Sequence, residues 1–68
     1  MCVGCVILEG QIRKARQRCD PVQAGRIAER IVQGRVSVCE DRRKELHSLA
    51  VTQAKLMNEI LAAAQDAL

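Results

Sequence analysis

The sequence has no aromatic side chain: none of its 68 residues is Phe, Tyr or Trp. Its core must therefore be built from smaller apolar side chains, which bury less area each than aromatic rings do. Proteins that bind single-stranded DNA or RNA commonly stack bases on such rings, so this mode of binding is not expected. A chain of this length forms one small domain, residues 1–68, and usually needs association, a metal or disulfides for stability.

The features of a catalytic site are also missing. The sequence has one histidine, His47, and no carboxylate pair, Gly-rich phosphate loop or nucleophile motif accompanies it. We therefore predict that the protein is not an enzyme and has no small-molecule substrate.

Long apolar segments are absent as well. The apolar run from Val3 to Leu8 is too short to cross a bilayer and lacks the flanks of a secretory signal. The sequence predicts a cytoplasmic protein that makes no membrane contact, and structural disulfides are rare in that compartment.

The few proline and glycine residues divide the chain into predicted helices. Asp20 suits an N-cap, and Pro21 suits the first position of the helix that follows. Gly34 suits the left-handed residue at that helix's end. Ser37 and Glu40 form a capping box for the last helix. The sequence thus predicts an all-α protein with helices over about 6–18, 21–33 and 38–67.

The two predicted linkers are short, and short linkers favour antiparallel neighbours. We therefore predict a small up-down-up bundle of three helices. The alternative is a hairpin of the second and third helices, with residues 1–19 as a separate N-terminal segment. In either case the third helix would be roughly 45 Å long against about 20 Å for the second.

The long C-terminal helix carries apolar residues beyond the reach of the other two helices. Leu49, Leu56 and Ala63 fall on one heptad position, and Leu46, Gln53, Ile60 and Ala67 on the other. Only Gln53 is polar. We predict that this helix forms a homo-oligomer, most simply a coiled-coil dimer, or binds a partner protein. The predicted interface comprises Leu46, Leu49, Leu56, Met57, Ile60, Leu61 and Ala64.

Positive charge is concentrated in the first two-thirds of the chain. Residues 1–44 carry ten Lys/Arg and five Asp/Glu, whereas residues 45–68 carry one and three. Such a patch can bind nucleic acid or an acidic surface, although an ordinary solvated helix face accounts for it equally well. The residues that we predict for these contacts are Arg13, Lys14, Arg16, Arg18, Arg42 and Arg43.

A helix-turn-helix interpretation of the second and third predicted helices is the alternative. It would present Arg42 and Arg43 to the major groove of DNA. However, Glu40 and Asp41 occupy the first turn, where base-reading residues belong and where acidic groups repel phosphate.

Four cysteines are many for this length. Cys2 and Cys5 form a Cys-x-x-Cys pair, which can direct two thiolates at one zinc ion. An up-down-up path brings Cys39 to the same end and leaves Cys19 at the other, so we predict a zinc site of Cys2, Cys5 and Cys39. A convincing zinc motif usually has two such pairs. Inert thiols are therefore the simpler expectation, and a redox pair is a further alternative.

Together these features predict a small helical accessory or regulatory protein that acts by protein–protein binding through an oligomerising C-terminal helix. An adaptor, a chaperone subunit or an inhibitor carried by a phage or another mobile element would have this character. The alternatives are a helix-turn-helix-like DNA-binding regulator with a dimerisation helix, and a zinc-stabilised binding module.

Overall fold

The computed structural model describes residues 3–66, and within this range the chain forms three α-helices and no β-strand. Helix α1 spans Val3–Gln17, α2 spans Pro21–Val32, and α3 spans Glu40–Asp66. The predicted all-α class is confirmed. The molecule measures 44 × 19 × 16 Å. Helix α3, with 27 residues and about 1.5 Å per residue, accounts for the long dimension.

Each helix packs against both of the others. The buried residues fall at helical spacing, which puts them on one side of each helix. The buried side chains form two clusters. The main cluster consists of Cys5, Leu8, Ile12, Ile27, Ala28, Ile31, Leu46 and Ala50. A smaller cluster of Ala15, Ala24 and Met57 lies beside the turn between α1 and α2.

The boundary between α1 and α2 forms as its local sequence predicts. The Asp20 carboxylate accepts a hydrogen bond from the backbone N–H of Gln23 at 3.1 Å, and Pro21 begins α2. Asp20 is therefore the N-cap. Helix α1 ends at a left-handed residue, Cys19, with φ of +50°. The N–H groups of Asp20 and Cys19 donate to the carbonyls of Ala15 and Arg16, a pattern known as the Schellman motif.

The end of α2 repeats this motif with glycine at the left-handed position. Gly34 has φ of +71°, and its N–H donates to the Ile31 carbonyl at 3.2 Å. The N–H of Arg35 donates to the Arg30 carbonyl at 3.0 Å. The predicted role of Gly34 is thus confirmed, although α2 itself ends at Val32 rather than at 33.

The start of α3 differs from the predicted capping box. The helix begins at Glu40, and the Cys39 carbonyl accepts its first hydrogen bond, from the Arg42 N–H at 3.0 Å. Ser37 is exposed and lies before the helix. The Cys39 N–H instead donates to the sulfur of Cys5 on α1. This contact joins distant parts of the chain, and α3 begins two residues after the predicted start near 38.

Helix α1 begins at Val3 rather than near residue 6, because the side chain of Cys5 is buried in the core. Gly4 permits this packing. A Cβ atom at Gly4 would overlap the carbonyl oxygen of Ser37, so the backbone of the α2–α3 connection lies directly against α1. Only glycine leaves room for such close backbone contact.

We predict that Gly4→Ala destabilises the protein by about 1–3 kcal/mol, because the added methyl group pushes α1 away from Ser37. Gly10→Ala in the same helix is the matched control. No atom lies within 4 Å of a Cβ there, so the better helix propensity of alanine should stabilise by up to about 1 kcal/mol. Urea unfolding at one fixed protein concentration measures both. Equal stability of the two variants would contradict the close contact.

Gly34→Ala should also destabilise, by about 1–2 kcal/mol, but for a different reason. No atom lies within 4 Å of a Cβ built at Gly34. The loss of stability therefore comes entirely from placing a residue with a Cβ atom in the left-handed backbone conformation. Gly25→Ala, within α2 and equally uncrowded, should instead raise stability. The same unfolding experiment compares the pair, and a stabilising Gly34→Ala would mean that α2 does not end in this motif.

Candidate interaction surface

The burial of α3 ends at Met57. Leu46, Ala50 and Met57 are buried against the other helices, whereas every residue from 58 to 65 is exposed. The turn between α1 and α2 packs beside Met57 through Cys19. Helix α3 therefore extends past the rest of the fold by at least eight residues, about 12 Å.

A largely exposed line of mainly apolar residues runs along one side of α3 into this extension. It consists of Leu49, Gln53, Leu56, Ile60 and Ala63, spaced alternately by four and three residues, and we call it the α3 stripe. Leu56 is 47% exposed and Ile60 is 61% exposed. Leu61 and Ala64 are exposed too. They lie on the side of α3 that carries the buried residues Leu46, Ala50 and Met57 nearer to its start.

Two residues of the predicted interface belong to the core instead. Leu46 is completely buried and Met57 is 4% exposed, because both face α1 and α2. Neither can contact a partner while the fold is intact. The other five predicted residues are exposed within the chain: Leu49, Leu56, Ile60, Leu61 and Ala64.

The predicted basic residues of α1 divide between two sides of that helix. One wall of a groove consists of Glu9, Ile12, Arg13 and Arg16, and the other wall consists of Leu49 and Gln53 of α3. We call this the α1–α3 groove. Lys14 and Arg18 line a separate depression beside the start of α2. The basic residues therefore do not form a single continuous patch.

Arg42 and Arg43 are already engaged within the chain. The Arg42 guanidinium lies 3.4 Å from a carboxylate oxygen of Glu9 on α1 and 3.4 Å from one of Glu45. Its hydrogen bond with Glu45, assisted by the charges of Glu45 and Glu9, raises the pKa of Arg42. Arg43 lies 3.9 Å from Glu40. Both arginines thus have acidic partners within the chain, which leaves them less available to DNA.

Of the three predicted zinc ligands, Cys5 contacts Cys39 through the backbone of Cys39. The Cys39 N–H donates to the sulfur of Cys5 at 3.2 Å, and Cys5 is completely buried. Cys2 lies outside the described residues, so the three-cysteine site stays a prediction. Within residues 3–66 no three His, Cys, Asp or Glu side chains are grouped to hold a metal ion.

One exposed feature was missed by the sequence analysis. Val3, Val6 and Ile7 form an exposed patch at the start of α1, which we call the α1 apolar face; Val3 is 72% exposed. The signal was the uninterrupted apolar run from Val3 to Leu8. A helix that is apolar on every side needs burial on every side, and the core covers only Cys5 and Leu8.

Comparison of the chain with protein-family models, with curated proteins and with solved structures finds no match. In the part of the chain that the structure describes, no helix combines the length and the apolar character needed to cross a membrane.

We predict that Cys19 reacts with a maleimide much faster than Cys5 in the native protein, because Cys5 is buried and Cys19 is partly exposed. Chelator-treated protein, freed of reductant and pulse-labelled, would be digested and the modified cysteines quantified by mass spectrometry. The denatured protein, in which both thiols are accessible, is the control. Equal native rates would mean that the contact between α1 and the start of α3 opens readily.

Proposed function

We propose that this protein is a small cytoplasmic accessory protein that acts by protein–protein binding. In this proposal α3 joins two copies through the α3 stripe, and each copy offers the α1 apolar face to a target protein. The observation that carries it is the change at Met57: burial stops there, while the apolar residues of α3 continue.

The regular spacing of the α3 stripe supports this proposal. Single exposed apolar residues are common on protein surfaces and need no partner. Leu49, Leu56 and Ile60, however, repeat along one line of a helix, which is the pattern by which helices associate side by side. Fully burying one such side chain contributes roughly 1.5–3 kcal/mol, so a symmetric pairing that covers several of them gains substantially.

The proposal includes an up-down-up path of the three helices. It is supported by the contact of Cys5 with Cys39 at one end and of Ala15 with Met57 toward the other. On this path the α1 apolar face and the projecting end of α3 lie at opposite ends of a molecule 44 Å long. A second copy and a target can then bind without competing for the same surface.

Replacing Leu56 and Ile60 together by aspartate tests this function. We expect the wild-type chain to have twice its 7.5 kDa monomer mass and the variant to have the monomer mass, because charge on the stripe opposes its burial. Light scattering after size exclusion, over a range of concentrations, measures both. Circular dichroism should stay unchanged, since neither residue belongs to the core clusters.

Two further variants serve as controls. Asn58→Asp with Gln65→Asp adds the same charge to the projecting end but away from the stripe, and it should leave the dimer mass unchanged. Val6→Asp with Ile7→Asp alters the α1 apolar face and should also preserve the dimer. A wild-type chain that is monomeric at all concentrations would overturn self-association through α3.

A further inference from the structure

We infer that the two copies bind in parallel, with the acidic flank of one α3 lying against Arg13 and Arg16 on α1 of the other copy. This inference rests on the self-association proposed above and adds the identity of the occupant and its orientation. The occupant of the α1–α3 groove is the α3 helix of a second copy. Three observations lead to it: the position of α1, the charges on α3, and the symmetry of a dimer.

The first observation is that α1 lies along one flank of the α3 stripe and makes that flank basic. Glu9 on α1 contacts Arg42 on α3, and farther along Ile12 and Arg16 share the groove with Leu49 and Gln53. Arg13 and Arg16 are both exposed. No ion pair engages either one within residues 3–66. Glu9 also lines the groove, but it is ion-paired with Arg42, so Arg13 and Arg16 leave a net positive charge along this side of the stripe.

The second observation is that the opposite flank of the stripe is acidic. Glu45, Thr52 and Glu59 recur every seven residues, which places them in one row on the side of the stripe away from α1. The side chain of Glu45 is 65% exposed and forms an ion pair with Arg42, whereas Glu59 is exposed and no ion pair engages it within residues 3–66. The α3 stripe thus has positive charge along one border and negative charge along the other.

The third observation concerns symmetry. In a parallel pair the two-fold axis runs along the helices, so the acidic flank of each copy meets the basic flank of the other. In an antiparallel pair the axis crosses the helices, so like flanks meet and Glu59 faces the acidic flank of the other copy without a basic partner. Charges along helix flanks set the partner and orientation of coiled coils in this way. The arrangement of charge here favours the parallel pair.

The positions along the helix are compatible with these contacts. Arg13 and Arg16 lie at the level of Leu49 and Gln53. Glu45 precedes Leu49 by about 6 Å along the axis, and Glu59 follows Gln53 by about 9 Å. An extended arginine and a glutamate together span such distances. In the parallel pair Gln53 also meets the Gln53 of the second copy, where amide groups can hydrogen-bond to each other.

Charge reversal tests the orientation. We expect Arg16→Glu and Glu59→Arg each to weaken dimerisation by on the order of tenfold, since each replaces attraction by repulsion at two symmetric sites. The double variant in one chain should restore it. Lys14→Glu makes the same charge change on the other side of α1 and should have little effect. Single variants that dimerise like the wild type would overturn the inference.

Cross-linking provides an independent measurement. Ala63 lies on the stripe, so Ala63→Cys in the parallel pair should form a disulfide between the two introduced thiols on treatment with oxidised glutathione. Gln65→Cys, which points away from the stripe, is the control. Because the chain has native cysteines, the linked peptides are identified by mass spectrometry.

A variant with two introduced thiols, Leu49→Cys with Ala63→Cys, distinguishes the two orientations directly. In the parallel pair each introduced thiol should link to the same position of the second copy. A disulfide that joins position 49 of one copy to position 63 of the other, without any linkage between the two positions 63, would establish the antiparallel pair and overturn the inference.

These outcomes separate the inference from the proposed function. If Leu56→Asp with Ile60→Asp dissociates the dimer while the charge reversals do not, α3 still joins the copies, and only the orientation is wrong. If the wild-type chain never dimerises, both fail. The molar mass of the Leu56→Asp with Ile60→Asp variant is measured first, on the full chain. The charge variants are then compared with the wild type at protein concentrations near which half of the wild-type dimer is dissociated.

Discussion

The three helices of this protein differ in length, and its main surface features follow from that difference. Helices α1 and α2 have 15 and 12 residues, whereas α3 has 27. Two short helices can cover only the part of a long helix that they reach. The core accordingly ends at Met57, and the apolar side chains of α3 beyond it are not covered by the chain's own helices. The projecting part of α3 therefore has little stability of its own, because most helical stability in proteins comes from packing against other elements.

Small side chains determine how closely the helices approach one another. With no aromatic residue available, the core uses alanine where helices meet, as at Ala24, Ala28 and Ala50. Gly4, which has no side chain, allows the backbone of the segment before α3 to lie directly on α1. The same contact lets the Cys39 N–H reach the sulfur of Cys5. Close packing thus compensates in part for the limited area that each side chain can bury.

The sequence predicted those features that depend on neighbouring residues. Asp20 and Pro21 define a helix start within four residues, and Gly34 defines a helix end, so both were correct. Helix α3 begins two residues later than predicted, and the backbone of Ser37 before it lies against Gly4 of α1, which is 33 positions away in the chain. No local pattern encodes such a contact. The ion pair between Glu9 and Arg42 could not be found for the same reason.

The site was predictable only in part. Heptad spacing identified the exposed side of α3, but it could not tell that Leu46 and Met57 are covered by the chain's own helices. Periodicity says which residues share a side and does not say what covers them. The basic run from Arg13 to Arg18 could be placed on both flanks of the first helix from the sequence. What lies beside each flank depends on the packing of α1 between its neighbours.

Position 19 is subject to two opposing demands that limit which residues it can accept. Its left-handed backbone favours glycine, because any other residue there costs roughly 1–2 kcal/mol. Its side chain, however, packs over the cluster of Ala15, Ala24 and Met57. Glycine would relieve the strain and uncover that cluster, while asparagine would tolerate the backbone but bring an amide onto apolar groups. Cysteine is small and apolar enough to meet both demands in part, so we expect few substitutions at this turn to be neutral.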